Sequence, residues 1–220
     1  MTEAEWLACR DLKKMIRKVD PHRFDRKLRL FAVACCRRVG HLLRDDEAKH
    51  FLGLVEEVAD GADGPESLRQ LSDEITIYTF AERAVTNAAA LDCASWQAAA
   101  DSYRRAAQDA EAAAGYAVEG TAGREEYETR GRERAVQFDI LRDIFGNPFR
   151  PVALAPSWLT STVLALAEGI YAERAFDRLP ILADALMDAG CDNDDVLNHC
   201  RSSGPHVRGC WVVDLLTGRA

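Results

Sequence analysis

The sequence predicts an all-α fold, a single orthogonal bundle of several helices with an alanine-rich helical arm or hairpin in its middle. Apolar residues recur at spacings of three and four along several segments, as they do on the buried side of a helix. Capping residues and glycines bound many of these segments, and no strand pattern alternates with them. A chain of 220 residues, 48% of them hydrophobic, can bury the core of one such domain.

The basic N-terminal region, residues 1–62, begins with a helix-capping motif. Thr2 and Glu5 have the spacing of a capping box, in which each side chain accepts a hydrogen bond from the other residue's amide. The motif predicts a short helix that continues through Cys9 or beyond. Pro21 stops any continuation of that helix, because proline lacks the amide that the next turn requires.

Two further helices are expected in the same region. Asp25 opens the best-patterned helix of the chain. Its apolar stripe consists of Leu28, Phe31, Ala32, Cys35, Val39 and Leu42. The next helix is expected from Asp45 or Asp46 to about Asp60, since acidic residues favour a helix start and Gly61 favours its end.

Residues 63–123 form a region dominated by alanine. Alanine is the strongest helix former and lets helix backbones approach closely, which predicts long helices in close contact. Alanine also buries little area per residue, so the same region is a candidate for the most mobile part of the chain. Gly120 and Gly123 interrupt the helical pattern before residue 124.

The C-terminal region, residues 124–220, is expected to pack on the N-terminal helices. A helix is predicted from Arg124 to Phe145, followed by the segment FGNPFRPVALAPSW, whose three prolines break the helical pattern. We expect an ordered crossing loop there, because its apolar residues favour burial. These residues are Phe149, Val152, Leu154 and Trp158.

Three more helices and an ambiguous segment complete the region. The expected helices begin at Thr160, around Pro180 and at Asp192, and Gly190 ends the second of them. Residues 206–216 are too densely apolar for periodicity to separate helix from strand, and we favour helix.

The charge is unevenly distributed along the chain. The net charge is −8, yet residues 10–44 hold twelve Lys or Arg against three Asp. This basic segment predicts a surface that binds an acidic protein segment, or alternatively phosphate or nucleic acid. It equally fits a solvated face that complements the acidic remainder of the same fold. The residues assigned to partner binding are Lys13, Lys14, Arg17, Lys18, Arg29, Arg37, Arg38 and Arg44.

The seven cysteines indicate reduced thiols in a cytoplasmic protein. The N-terminus lacks the basic start and apolar core of a secretory signal, and no apolar run is long enough to cross a membrane. We therefore expect the cysteines to pack as small hydrophobic residues and not as a disulfide framework.

A cluster near the C-terminus is the candidate metal site. Cys200, His206 and Cys210 are zinc-type ligands, and Cys191 or His199 could supply a fourth. The spacing matches no established zinc motif, and a helix start followed by a buried apolar face also explains these residues. The acidic residues at 192–195 do not fit a calcium loop, which needs a glycine at its sixth position and a glutamate at its twelfth.

No enzyme class is indicated. The chain has no nucleophile elbow, no phosphate-binding glycine loop and no His-Glu-x-x-His motif, and its paired glutamates read as exposed helix faces. The sequence therefore predicts a non-enzymatic helical binding or adaptor module for an acidic protein partner. A structural zinc site, and phosphate or nucleic-acid binding through the basic face, are the alternatives.

Several long phrases resemble one family. They are MTEAEWLAC, DRKLRLFAVACCRR, RDIFGNPFRPV and HVRGCWVVDLL. In these phrases the chain resembles a lineage-expanded group of small planctomycete proteins, over roughly half its length and not in the alanine-rich middle. The resemblance implies no activity, no cofactor and no catalytic residue.

Overall fold

The computed structural model describes residues 1–19, 25–43, 46–61, 80–89, 96–116 and 124–219. Every regular element within these ranges is a helix, and none of the described residues lies in a strand, so the all-α prediction is confirmed. No helix in the described ranges combines the length and the apolar character that a bilayer crossing needs.

The helices follow the predicted order except at the N-terminus, where the first helix was expected to continue through Cys9 or beyond. It ends at Ala8, because Cys9 takes an extended backbone, and a separate helix capped by Asp11 follows. The helices are α1 (Glu3–Ala8), α2 (Leu12–Lys18), α3 (Asp25–Arg38), α4 (Asp46–Ala59), α5 (Phe80–Ala89), α6 (Trp96–Tyr116), α7 (Arg124–Phe145), α8 (Ser161–Glu173), α9 (Leu179–Asp188), α10 (Asp194–Arg201) and α11 (Trp211–Thr217). Short 3₁₀ turns lie at Gly40–Leu42, Pro156–Trp158 and Phe176–Arg178. The segment 206–216, ambiguous in the sequence, contains helix α11. The expected stops at Pro21, Gly120 and Gly123 lie outside the described residues.

The packing divides the chain into two compact units, residues 1–140 and residues 141–220. The division falls within α7, after Ile140. A single domain, with all C-terminal helices packed on the N-terminal ones, stays a prediction. Each unit is described below by itself.

Helix α3 lies at the centre of the first unit and packs against α4, α5 and α6. The predicted stripe is buried from Leu28 to Val39, but the opposite side of the helix is buried as well. Leu30, Val33 and Cys36 belong to this second buried side, which the stripe did not predict. A helix enclosed by three others has no solvent face along its middle, and residues 30–36 are accordingly all apolar and buried.

The described part of the alanine-rich region forms a close pair of helices, α5 and α6. Each helix presents a row of fully or almost fully buried alanines. These are Ala81, Ala84 and Ala88 on α5, and Ala106, Ala107 and Ala110 on α6. The absence of bulky side chains lets the backbones approach, as predicted. The apolar area buried per residue is correspondingly small.

Arginine–carboxylate pairs connect the helices of the first unit. Each of four buried carboxylates accepts hydrogen bonds from an arginine on a neighbouring helix. The pairs are Arg37–Glu56 (α3–α4), Arg38–Glu133 (α3–α7), Arg83–Asp109 (α5–α6) and Arg134–Glu111 (α7–α6). The planar guanidinium binds its carboxylate in one direction only. These contacts therefore help to set the register of neighbouring helices, which small alanine side chains alone would fix poorly.

Helices α8 to α11 form the core of the second unit. Thr160 caps α8, and its hydroxyl accepts a hydrogen bond from the Val163 amide at 3.3 Å. The proline-rich loop is ordered against this core: Trp158 is buried, and Val152 and Leu154 pack beside it. Gly146 adopts a positive φ of 63°, and a side chain at that position would press on the Trp211 ring.

Substitution of the glycine that ends α9 tests the left-handed backbone conformation at that position. Gly190 has φ 83°; its amide donates to Met187 O and the Cys191 amide to Leu186 O, which is a Schellman motif. We expect Gly190→Ala to lower the free energy of unfolding by about 1 to 2 kcal/mol, because alanine is strained at positive φ. Gly169, inside α8 with open space around it, is the matched control.

Gly169→Ala should stabilise the same unit by about 0.5 to 1 kcal/mol, because alanine restricts the unfolded chain and favours helix. Urea denaturation followed by circular dichroism measures both changes. Equal effects of the two substitutions would contradict the assigned backbone geometry.

Charge reversal distinguishes basic residues that pair with a buried carboxylate from basic residues that do not. Arg37→Glu places a carboxylate against Glu56, which is only 3% exposed. We expect a loss of about 3 kcal/mol in the free energy of unfolding, because a buried charge loses its partner. Lys13→Glu, on the exposed side of α2, should change stability by less than about 0.5 kcal/mol. The comparison uses the same urea titration, and similar losses for the two variants would contradict internal pairing of Arg37.

Candidate metal centre

The centre begins with a buried carboxylate on α7. Asp143 lies in the last turns of that helix, between Leu141 and Ile144, and its side chain is 3% exposed. The apolar residues on either side bury this turn against the core, and the carboxylate is buried with it. The Val207 amide donates to Oδ2 at 3.0 Å, which leaves Oδ1 available to other partners.

Helix α10 supplies His199. Asn193 caps the helix by accepting a hydrogen bond from the Val196 amide at 3.1 Å. Val196, Leu197 and Cys200 form its buried face. His199 lies at the edge of that face, with its ring beside that of Trp211 at a centroid distance of 5.2 Å.

The loop between α10 and α11 brings the remaining two side chains to the same place. His206 lies on the loop, and Cys210 is the residue before α11 and has no exposed surface. Gly209 turns the chain at φ 94°, and the Cys210 amide donates to Val207 O at 2.9 Å. This turn directs Cys210 inward.

Four side chains converge at this point: Asp143, His199, His206 and Cys210. Their ligand atoms all lie within 4.8 Å of one another, so the group could hold a metal ion. Asp143 Oδ1 is 2.7 Å from His206 Nδ1 and 3.1 Å from His199 Nε2. His199 Nε2 is also 3.1 Å from Cys210 Sγ. All four members belong to residues 141–220, the second unit.

The hydrogen bonds around His206 determine which nitrogen carries its proton. Ser202 Oγ donates to the His199 carbonyl at 2.9 Å, so that hydroxyl can only accept from His206. The Nε2 atom of His206 is 3.2 Å from Ser202 Oγ and from Ser202 O, and both of these atoms are acceptors. Nε2 therefore carries a proton, and a neutral ring presents the bare Nδ1 to the Asp143 carboxylate. Such a contact is attractive only when a cation, a proton or a metal ion, lies between the two atoms.

Burial and neighbouring charges shift the ionisation of the cluster. Burial acts to raise the pKa of Asp143, but hydrogen bonds and positive charge from His199 and His206 outweigh it and the pKa is lowered. Burial acts to lower the pKa of His206, but its hydrogen bond to Asp143 and the Asp143 charge raise the pKa above its usual value. Burial raises the pKa of Cys210 well above normal, and Asp143 adds to this. Without a metal ion, Cys210 is therefore a neutral thiol.

The geometry does not fit a Cys-His-Asp catalytic triad. A triad needs the carboxylate on one ring nitrogen and the nucleophile on the other. Here Asp143 and Cys210 both contact Nε2 of His199. The thiol is also fully buried and its pKa is raised, whereas a nucleophilic cysteine is partly exposed with a lowered pKa.

The structure rearranges the ligand set expected from the sequence. His206, Cys210 and the alternative fourth ligand His199 come together. Cys200 and Cys191 are not members of the group, although both are buried in the second unit as Cys210 is. Cys200 faces the core because it shares the apolar side of α10 with Val196 and Leu197.

Sequence reasoning missed Asp143, which lies 56 residues or more before the other members. The available signal was a charged residue inside the apolar pattern Ile140, Leu141, Ile144 and Phe145. A carboxylate in such a position is either strained or paired.

The residues assigned to the basic face separate into two sets. Arg37 and Arg38 pair with the buried Glu56 and Glu133, and Arg29 is half-buried and also makes contacts. The other assigned residues on α2 are exposed: Lys13, Lys14, Arg17 and Lys18. Arg44 lies outside the described residues.

Comparison of the chain with models of known families, with curated proteins and with solved structures finds no match in any of the three. Membership of the planctomycete family stays a prediction.

Proposed function

We propose that residues 141–220 bind one zinc ion through Asp143, His199, His206 and Cys210. The observation that carries the proposal is the convergence of one carboxylate oxygen, two imidazole nitrogens and one thiol sulfur within 4.8 Å. Neighbouring ligand atoms of a tetrahedral zinc ion lie about 3.3 to 3.6 Å apart, given bonds of about 2.0 to 2.3 Å. Around the ion, the contacts of 2.7 and 3.1 Å would open by about 0.2 to 0.6 Å, and ligand atoms up to 4.8 Å apart would move together by about 1.2 Å.

The surroundings of the ligands support a metal ion over a lone proton. The second ring nitrogen of His206 points at the Ser202 carbonyl and the second oxygen of Asp143 at the Val207 amide. Bonds of this kind orient the ligands of known metal sites. A proton between Asp143 and His206 would satisfy those two residues alone. Zinc would also use His199, and it would remove the proton from Cys210, because a coordinating thiol is deprotonated.

The proposed role of the ion is structural. Four protein ligands fill a tetrahedral ion and leave no position for water or substrate, whereas catalytic zinc sites use three. The ligands come from α7, α10, the following loop and the start of α11, so one ion would join four segments of the second unit.

Metal content tests the proposal directly. Protein purified without a metal-affinity step and dialysed should contain about one mole of zinc per chain by elemental analysis. Asp143→Asn, His199→Ala and Cys210→Ala should each lower that content several-fold. Cys191→Ala is the matched control, because Cys191 is a buried cysteine of the same unit outside the group, and it should keep the metal.

Cobalt substitution reports the donor atoms. A tetrahedral cobalt ion with one sulfur ligand has a thiolate charge-transfer band, which should be present in wild type and Cys191→Ala and absent in Cys210→Ala. Less than about a tenth of a mole of zinc in wild type, with no uptake on adding zinc, would remove the proposal.

Zinc should also stabilise the fold. Free zinc at about a thousand times its dissociation constant should raise the free energy of unfolding by about 4 kcal/mol, because the unfolded chain has no assembled site. Thermal unfolding with zinc and with excess chelator measures the difference, and Asp143→Asn should abolish it. An identical melting curve under both conditions would contradict the structural role.

A further inference from the structure

Helix α2 and the residues just before it carry a high density of positive charge, whereas the chain as a whole is acidic. Residues 10–18 hold five Lys or Arg and one Asp, in a protein of net charge −8. The helix buries Met15 and Ile16 against the first unit, and its basic side chains point to solvent. We call this set, Arg10, Lys13, Lys14, Arg17 and Lys18, the α2 patch.

Among the described residues, Lys13, Lys14 and Arg17 of the α2 patch lack the buried carboxylate partners that several arginines of the first unit have. In the first unit Arg37, Arg38, Arg83 and Arg134 each bind a buried Asp or Glu. Among the described residues, neither Lys13 nor Arg17 makes an ion pair. Lys14 approaches only Asp11, at 3.8 Å, with the lysine 72% exposed. A pair of that kind contributes little and leaves the charge available.

An open cleft of about 650 Å³ lies beside this helix, between α1 and α2. Its basic lining comes from Arg10, Lys14 and Arg17, and its apolar lining from Met1 and Ala8. Two carboxylates also line the cleft, but both cap helix starts: Glu5 accepts from the Thr2 amide at 2.7 Å and Asp11 from the Lys14 amide at 3.1 Å.

We propose that this cleft binds an acidic peptide segment of a partner protein. Glutamate or aspartate side chains would pair with Lys14 and Arg17, and an apolar side chain would enter beside Met1 and Ala8. Such an arrangement matches the combination of charge and apolar surface in the lining. Nucleic acid is the less suitable ligand, since no aromatic ring for base stacking is among the described residues of the lining. The site belongs to the first unit and is independent of the metal centre.

Fluorescence anisotropy with a labelled peptide tests the proposal. The probe is a glutamate-rich peptide with one central leucine, and the reference probe has glutamine in place of each glutamate. The full chain should bind the glutamate peptide and not the glutamine peptide, with affinity that falls as salt is added. Lys14→Glu combined with Arg17→Glu should weaken binding about tenfold or more, because both side chains line the cleft.

A charge-matched variant controls for the change in net charge. Arg105 and Arg132 are exposed residues of the first unit, and reversing both to Glu should leave binding within about twofold of wild type. Circular dichroism checks that both double variants fold. No binding of the glutamate peptide, equal weakening by the two variants, or capture of labelled oligothymidylate in preference to the peptide would each overturn the proposal.

Discussion

The buried carboxylate of Asp143 is the constraint on which the second unit depends. A carboxylate that is 3% exposed loses most of its hydration, and the fold must replace that hydration with hydrogen bonds and positive charge. The replacements come from three separate places: the Val207 amide, His206 on the loop and His199 on α10. One charge thus fixes the path of the chain from α10 to α11 and brings Cys210 to the same point. The candidate metal centre is a consequence of the way this carboxylate is satisfied.

The first unit also depends on buried carboxylates, but there they pair with arginines between helices. Alanine-rich helices pack closely but bury little apolar area, and their smooth surfaces allow several registers. The arginine pairs to Glu56, Asp109, Glu111 and Glu133 remove that freedom, because each guanidinium must meet its carboxylate in a defined direction. The carboxylates are buried and the arginines about half exposed, and since removing a carboxylate from water offsets much of the attraction, the pairs contribute mainly to specificity. The opposite charges of the basic segment and the acidic remainder are thus partly matched inside this unit.

The parts of the fold that could be predicted from the sequence are those that depend on local signals. The capping box at Thr2, the bounds of α7 and the glycine end of α9 depend on residues that are close in sequence, and all are present. The second buried side of α3 could not be predicted, because it depends on which helices surround it. For the same reason the sequence could not distinguish Arg37, which pairs with the buried Glu56, from Arg17, which makes no ion pair among the described residues. His199, His206 and Cys210 lie within twelve residues and were found, whereas Asp143 reaches them only through the tertiary fold.

The donor set also limits which ion the centre can hold. Calcium and magnesium prefer six or more oxygen ligands and would receive one carboxylate here. Copper(I) prefers sulfur, and the group offers a single thiol beside an oxygen and two nitrogens. A mixed set of one oxygen, two nitrogens and one sulfur suits a metal ion that is intermediate between hard and soft and has no preferred geometry of its own. Zinc has both properties. The burial that raises the pKa of Cys210 disfavours an uncompensated thiolate, so the site would take up a sulfur-bound cation only together with loss of the thiol proton. Zinc binding would therefore be coupled to loss of the Cys210 proton. The buried negative charge of Asp143 favours a divalent cation at the point where all four ligands meet.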